Sequence, residues 1–326
     1  ARTRPPAAGD AVKPLNDVIA ACPPSGIRKF FDIAAERDDV ISLGVGEPDF
    51  VTPWRVREAG IYALERGYTT YTSNAGLPKL RELICADLAA RYGAEYSWTD
   101  ECLITTGVSE GLDLALRVLL NPGDEVIVPE PCYVAYEPCV RFAGGVPVRV
   151  PTRWEDDFAV DAARVAEAVT PRTKAILLGS PANPTGAVQP RSSLEALVAL
   201  ARERDLYLVS DEIYDRLTYE GRHTCLGALP GARERTVVLG GFSKAQAMTG
   251  WRVGWICAPE AVANLSSWLA ISSEPPPDTY CASSDATSCR PSGSRRCSGS
   301  SSISNELGRI SAIASVSRCF WPEESD

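Results

Sequence analysis

Between Val40 and Ala258 short, mostly unbroken apolar runs alternate with amphipathic stretches, and few architectures accept that alternation. The runs lie in VISLGVGEPDF (40–50), ECLITTG (101–107), EVIVPE (125–130), KAILLGS (174–180), LYLVSD (206–211), TVVLGG (236–241) and VGWICA (253–258). A strand that is apolar on both sides has to be covered on both sides. Leu77, Leu80, Ile84 and Leu88 predict a helix over 76–91, and Leu112, Leu116 and Leu119 predict another. Further helices are expected over 133–142 and around Leu194, Leu197, Val198 and Leu200. The expected fold class is therefore α/β, a three-layer αβα arrangement with a mostly parallel sheet. Ligands of such sheets sit at the carboxyl ends of the strands, so the polar residues closing each run are the candidates for chemistry.

Charge and residue usage remove several classes of function. Lys plus Arg total 33 and Asp plus Glu 42, a formal charge of −9. An acidic chain repels phosphate backbones, so no nucleic-acid partner is expected. No run approaches the roughly 20 apolar residues that span a bilayer, so no membrane partner is expected either. The single histidine, His223, lies between Gly-Arg and a cysteine and reads as an exposed loop residue. One imidazole and eleven cysteines without a CxxC pair predict no metal site, and the cysteines read as reduced, buried thiols. No signal-peptide pattern is present, which predicts a cytoplasmic location, or an organelle if a targeting segment has been removed. Starting at Ala1 with Met248 as its only methionine, the chain reads as processed or as a fragment.

The character changes near residue 271. Residues 271–326 hold 16 serines and four cysteines in 56 positions, with seven Val, Ile, Leu, Met or Phe. So little apolar surface does not offset the entropy of ordering the segment. It reads either as a poorly ordered tail or as a stretch that is not the natural continuation of the fold.

Four strand ends carry unusual residues. TTGVSEG (105–111) joins a strand to a helix through glycine and Ser109; it is a plain cap or an anion site. SPANPTG (180–186) is a proline-locked loop offering Asn183, either a structural turn or a ligand contact. SDEIY (210–214) sets Asp211 directly after a buried run, where a carboxylate caps a helix or meets a cation. GFSKAQAMTGWRVG (241–254) places Lys244 after a buried strand, as a solvated lysine or a perturbed amine. Ser243 and Arg252 beside it make a phosphate-binding pair. Taken together, these ends suit one ligand with an anion, a protonated ring nitrogen, a ring hydroxyl and an electrophilic carbon. Pyridoxal 5'-phosphate carries all four.

From about Leu15 to Leu269 the chain resembles the class I aminotransferases, fold type I pyridoxal-phosphate enzymes of the aspartate aminotransferase fold. The motifs are SLGVGEPDF, YTSNAGLPKLR, TTGVSEGLDLAL, PGDEVIVPEPCYVAY, SPANPTGAV, YLVSDEIY and GFSKAQAMTGWRVGW, in the family's order. The resemblance implies that Lys244 bonds the cofactor aldehyde and then moves the substrate proton. Asp211 would pair with the ring nitrogen, Asn183 and Tyr214 would hydrogen-bond the ring hydroxyl, and Tyr133 would stack on the ring. Val108, Ser109, Ser243 and Arg252 would hold the phosphate, with Tyr71 reaching the phosphate of a neighbouring subunit in a homodimer. Gly46 and Asn183 would lie against the substrate, an amino acid or a 2-oxo acid. The implied organisation is an N-terminal arm and part of a small domain over 1–50, a large cofactor-binding domain over 51–270, and the divergent tail over 271–326.

The family continues for about a hundred residues more, completing the small domain and supplying an arginine that clamps the substrate carboxylate. Arg309 echoes that arginine by chance, so the small domain is expected to be incomplete and turnover impaired. Aspartate, alanine or aromatic substrates remain open. So do a C–S lyase, an aminocyclopropane carboxylate synthase-like enzyme and a non-catalytic cofactor-binding remnant. A nicotinamide dehydrogenase does not fit, because GVGEPD is not a GxGxxG that opens a helix.

Overall fold

The computed structural model describes residue 13, residues 15–22 and residues 46–270. The tail over 271–326, Arg309 included, and most of the arm over 1–50 lie outside the described residues. In chain order the helices are α1 (Asp17–Ala20), α2 (Trp54–Glu65), α3 (Pro78–Tyr92), α4 (Val108–Leu119), α5 (Tyr136–Phe142), α6 (Ala162–Ala168), α7 (Arg191–Glu203) and α8 (Glu260–Leu269). The strands are β1 (Cys102–Thr105), β2 (Glu125–Glu130), β3 (Val146–Pro151), β4 (Thr173–Gly179), β5 (Tyr207–Asp211), β6 (Thr236–Gly241) and β7 (Gly254–Cys257).

The seven strands form one sheet in the order β1-β7-β6-β5-β4-β2-β3. Every neighbouring pair is parallel except those made by β7, which runs antiparallel to both β1 and β6. Alternate residues of the central strands feed opposite faces, as the two-residue period of a strand requires. Leu103, Val126, Val128, Leu177, Val209 and Ile256 pack under α4, α5 and α8. On the other face Ile127, Ile176 and Leu208 pack under α6 and α7, while Cys102, Val238 and Cys257 pack under α3. This is the expected three-layer α/β fold. Burying each Leu, Val or Ile contributes roughly 1.5–3 kcal/mol.

The expected boundaries shift where local chemistry decides them. The helix expected over 76–91 runs from Pro78 and stops at Gly93, whose φ of 70° closes it in the left-handed conformation. The helix expected over 133–142 begins only at Tyr136, because Tyr133 turns into a cavity instead of joining the helix. Strand β3 was not among the expected strands. Pro147 and Pro151 interrupt it, and it is half-exposed at the sheet edge, where proline is tolerated. Cys85, Cys102, Cys225 and Cys257 are buried as expected, whereas Cys22, Cys132 and Cys139 are half-buried; all seven are free thiols.

Candidate active site

A cavity of about 620 Å³ opens at the carboxyl edge of the sheet. Each wall is the end of a strand. After β1, Gly107 precedes α4, whose first residues Val108 and Ser109 line the cavity. Beyond β2 lies Tyr133, beyond β4 Asn183, and Asp211 is the last residue of β5. Ser243 and Lys244 follow β6. Arg252 precedes β7, and it reaches the same edge because β7 runs the opposite way.

Asp211 is 7% exposed. One oxygen accepts a hydrogen bond from Tyr136 Oη at 2.9 Å, and the other accepts from the Ile213 N–H at 3.3 Å. No cation pairs with it among the described residues. Burial therefore pushes its carboxyl up to about 6, although both hydrogen bonds pull the other way. A buried acid facing a cavity with no counter-charge is built for a cationic group that arrives with a ligand.

Lys244 is half-buried, and burial lowers its amine from the usual lysine range; Glu47 opposes that shift and Arg252 adds to it. Its Nζ donates to the Gly46 carbonyl and lies 5.5 Å from the centre of the Tyr214 ring. Burial raises the Tyr214 hydroxyl above the usual tyrosine range, and the nearby Asn183 side chain pulls the other way. The ring of Tyr133 meets that of Tyr136 edge-on at 5.7 Å.

The anion side of the cavity depends on glycine. Gly107 has φ 77°, and a Cβ there would lie 2.6 Å from Arg252 Nη2. Only a residue without a side chain lets the guanidinium lie beside the start of α4. Arg252 itself has φ 54°, as Ala247 has φ 51°, so the loop carrying Lys244 holds two non-glycine residues in the left-handed region. Such residues cost about 1–3 kcal/mol each and persist where surrounding contacts enforce them. Here the segment after Gly46 does so. Thr52 Oγ1 donates to the Ala247 carbonyl at 2.6 Å, Trp251 Nε1 donates to Thr52 Oγ1 at 3.1 Å, and Thr249 donates to Glu47 at 3.2 Å.

Gly46, Val108, Ser109, Tyr133, Asn183, Asp211, Tyr214, Ser243, Lys244 and Arg252 thus share one cavity. Tyr71 does not join them, being fully exposed on its own chain. Tyr136 was not singled out from the sequence, since a tyrosine at a helix start carries no signal of an acid partner. His223 corrects an expectation: it is buried, not exposed. Its Nε2 lies 2.8 Å from Glu212, which also accepts from Ser210 Oγ at 2.8 Å and the Leu226 N–H at 2.9 Å. The buried carboxylate beside Asp211 needed partners, and the imidazole is one of them.

The profile of the family described as aminotransferase class I and II matches residues 38–273. The chain belongs to this family. YugH of Bacillus subtilis (strain 168) is 54% identical over 245 residues, covering 75% of this chain and 64% of its own. The aspartate/prephenate aminotransferase of Thermus thermophilus is 45% identical over 251 residues, covering 77% and 64%. A solved structure of Thermus thermophilus aspartate aminotransferase with maleate superposes with a TM-score of 0.77 at 43% identity, covering 80% of this chain and 69% of that one. The chain thus spans less than two thirds of the length of the curated relatives it matches. Among the described residues no helix is long and apolar enough to cross a membrane.

Proposed function

We propose that this class I aminotransferase family member binds pyridoxal 5'-phosphate and moves an amino group between an L-amino acid and a 2-oxo acid of the aspartate, alanine or aromatic type. The observation that carries the reading is the pairing of Asp211 and Lys244 across one cavity, an acid without a counter-charge and an amine with a lowered pKa. Bound there, the cofactor supplies an aldehyde that takes up amines and a pyridine ring that withdraws electrons.

The residues divide the work. Asp211 holds a proton on the ring nitrogen, and Tyr136 keeps the carboxylate aimed at it. Asn183 and Tyr214 hydrogen-bond the ring hydroxyl, while Tyr133 covers one ring face. Val108, Ser109, Ser243 and Arg252 bind the phosphate, using a helix N-terminus, two hydroxyls and a guanidinium. Lys244 would be the amine that holds the cofactor through its aldehyde, and when free its Nζ would be the base that moves the proton of the substrate Cα. Gly46 leaves the cavity lip open for the substrate carboxylate, since a Cβ there would meet nothing within 4 Å. The large cofactor-binding domain is assigned to 51–270. Tyr71 completes the phosphate site of a second copy, which makes the working unit a homodimer.

The test is a visible spectrum with pyridoxal phosphate, followed by borohydride. The native chain is expected to show a band shifted from that of the free aldehyde, and borohydride to fix the cofactor on the peptide containing Lys244. Lys244→Ala should lose the band, and any amino-transfer activity should fall by about 10²–10⁴-fold. An unchanged band in Lys244→Ala, or fixation on another lysine, would overturn the reading. Release of ammonia in place of a 2-oxo acid would assign a lyase.

A further inference from the structure

Away from the cavity, on the face of the sheet covered by α3, three cysteines converge. Cys102 of β1 and Cys257 of β7 are directly opposed in the antiparallel ladder. Cys85 of α3 packs onto that pair, and the three Sγ atoms all lie within 4.8 Å of one another. All three are buried, at 6%, 2% and 0% exposure. Ile84, Leu88, Val238, Phe242 and Trp255 surround them and keep out water. Sulfur atoms each about 2.3 Å from one central ion in a plane are about 4 Å apart, so the observed spacing needs little adjustment to close on a metal.

We propose that Cys85, Cys102 and Cys257 form a soft-metal site that holds one monovalent copper ion through three sulfurs.

The donor set selects the ion. Thiol sulfur favours copper(I), zinc and iron–sulfur clusters. Structural zinc takes four protein ligands and iron–sulfur clusters take four cysteines. No fourth Cys, His, Asp or Glu joins this group among the described residues, and hard oxygen-seeking ions find no ligand in it. Copper(I) accepts three sulfurs in a dry pocket. A second observation points to an anionic occupant. Arg81 lies one helical turn before Cys85, is 5% exposed, and its Nε is buried without a partner. Its Nη1 is taken by the carbonyls of Trp98 and Thr99 at 2.7 and 3.1 Å.

Charge balances on loading. Two thiols are bound as thiolates and the third as a thiol, so the copper–sulfur group carries one negative charge and Arg81 one positive charge. Two thiol protons leave to solvent, and the copper sheds the ligands that delivered it, as three copper–sulfur bonds form. Copper stays monovalent, so no oxidant is consumed. Near-neutrality is what an ion in an apolar interior requires.

The test loads the full chain anaerobically with copper(I) supplied as its bicinchoninate complex, and reads the loss of the coloured complex. One copper per chain is expected. Cys102→Ala and Cys257→Ala should each weaken retention at least about 100-fold, since ligand loss outweighs the 10- to 100-fold effect of changes around a metal site. Cys132→Ala and Cys139→Ala, outside the cluster, should retain copper like the native chain. The copper X-ray absorption spectrum of the native protein, which needs no variant to fold, should show sulfur neighbours only. Unchanged retention in both cluster variants, no retention by the folded native chain, or nitrogen and oxygen neighbours in the spectrum would each overturn the site.

Discussion

Asp211 costs the cofactor-free protein stability, and its sign can be read from its surroundings. Its carboxyl titrates near 6 in the fold because burial disfavours the charge. An exposed aspartate titrates at about 3.9. Between those values the folded chain holds the extra proton, so the Asp211 contribution to stability falls as pH rises from about 4 to about 6 and is level above that. Asp211→Asn removes the buried charge; its amide oxygen still accepts from the Ile213 N–H, and its NH2 can donate to Tyr136 Oη, which turns its own proton away. Urea unfolding of the cofactor-free variant at pH 8 is therefore expected to show a gain of roughly 1–3 kcal/mol, and the variant should lack the fall that Asp211 contributes between pH 4 and 6. Cofactor binding should weaken at the same time, since the ring nitrogen loses its counter-ion. A variant less stable than the native chain at pH 8 would show that the carboxylate already has a cation. The neighbouring His223 has the same sign from a different cause. Burial lowers the His223 pKa, but hydrogen bonding and charge from Glu212 more than offset this and raise it. That pair stabilises most below the usual histidine range and loses its contribution as pH rises through the raised value.

At the scale of elements, one reversed strand assembles the anion site. Because β7 runs against β6, the residues before it stand at the same edge as those after β1 and β6. Gly107 then has to admit the Arg252 guanidinium. Gly107→Ala is expected to cost roughly 1–3 kcal/mol in thermal unfolding, from its φ of 77° alone. Its added Cβ should also displace Arg252, so binding of pyridoxal phosphate should fall more than about 10-fold while binding of pyridoxal, which lacks the phosphate, stays level. Equal losses for both would place Arg252 elsewhere. The strand cores were legible in the sequence because residues such as Val126–Val128 and Ile176–Leu178 are apolar without interruption. Lys244, Asp211 and Asn183 were legible because each closes such a run. The direction of β7 was not, since apolar composition is the same in either orientation, and β3 was hidden by its prolines. Tyr136, His223 and the meeting of Cys85 with Cys102 and Cys257 depend on contacts between distant segments, which local patterning does not encode.

The whole molecule leaves a surface that a single copy does not use. Phe50, Val51, Trp54 and Leu64 are exposed on and just before α2, and Tyr71 follows with its side chain entirely outside. Apolar side chains grouped in one exposed stretch mark an interaction surface more often than a solvated one. If Tyr71 serves the phosphate of a second copy, each site draws Lys244 from one chain and Tyr71 from the other, and a two-fold dimer holds two such sites. Mixing variants separates this arrangement from a site made by one chain. Lys244→Ala alone cannot bond the aldehyde, and Tyr71→Ala alone should bind pyridoxal phosphate weakly when the cofactor is limiting. Unfolding and refolding the two together gives mixed dimers as about half of the population, each with one intact site and one doubly damaged site. At limiting cofactor the mixture should regain about a quarter of the native visible band, since half of the sites in half of the dimers are whole. A band no larger than the average of the two separate variants would mean that Tyr71 acts within its own chain or not at all, and the exposed stretch would need another partner.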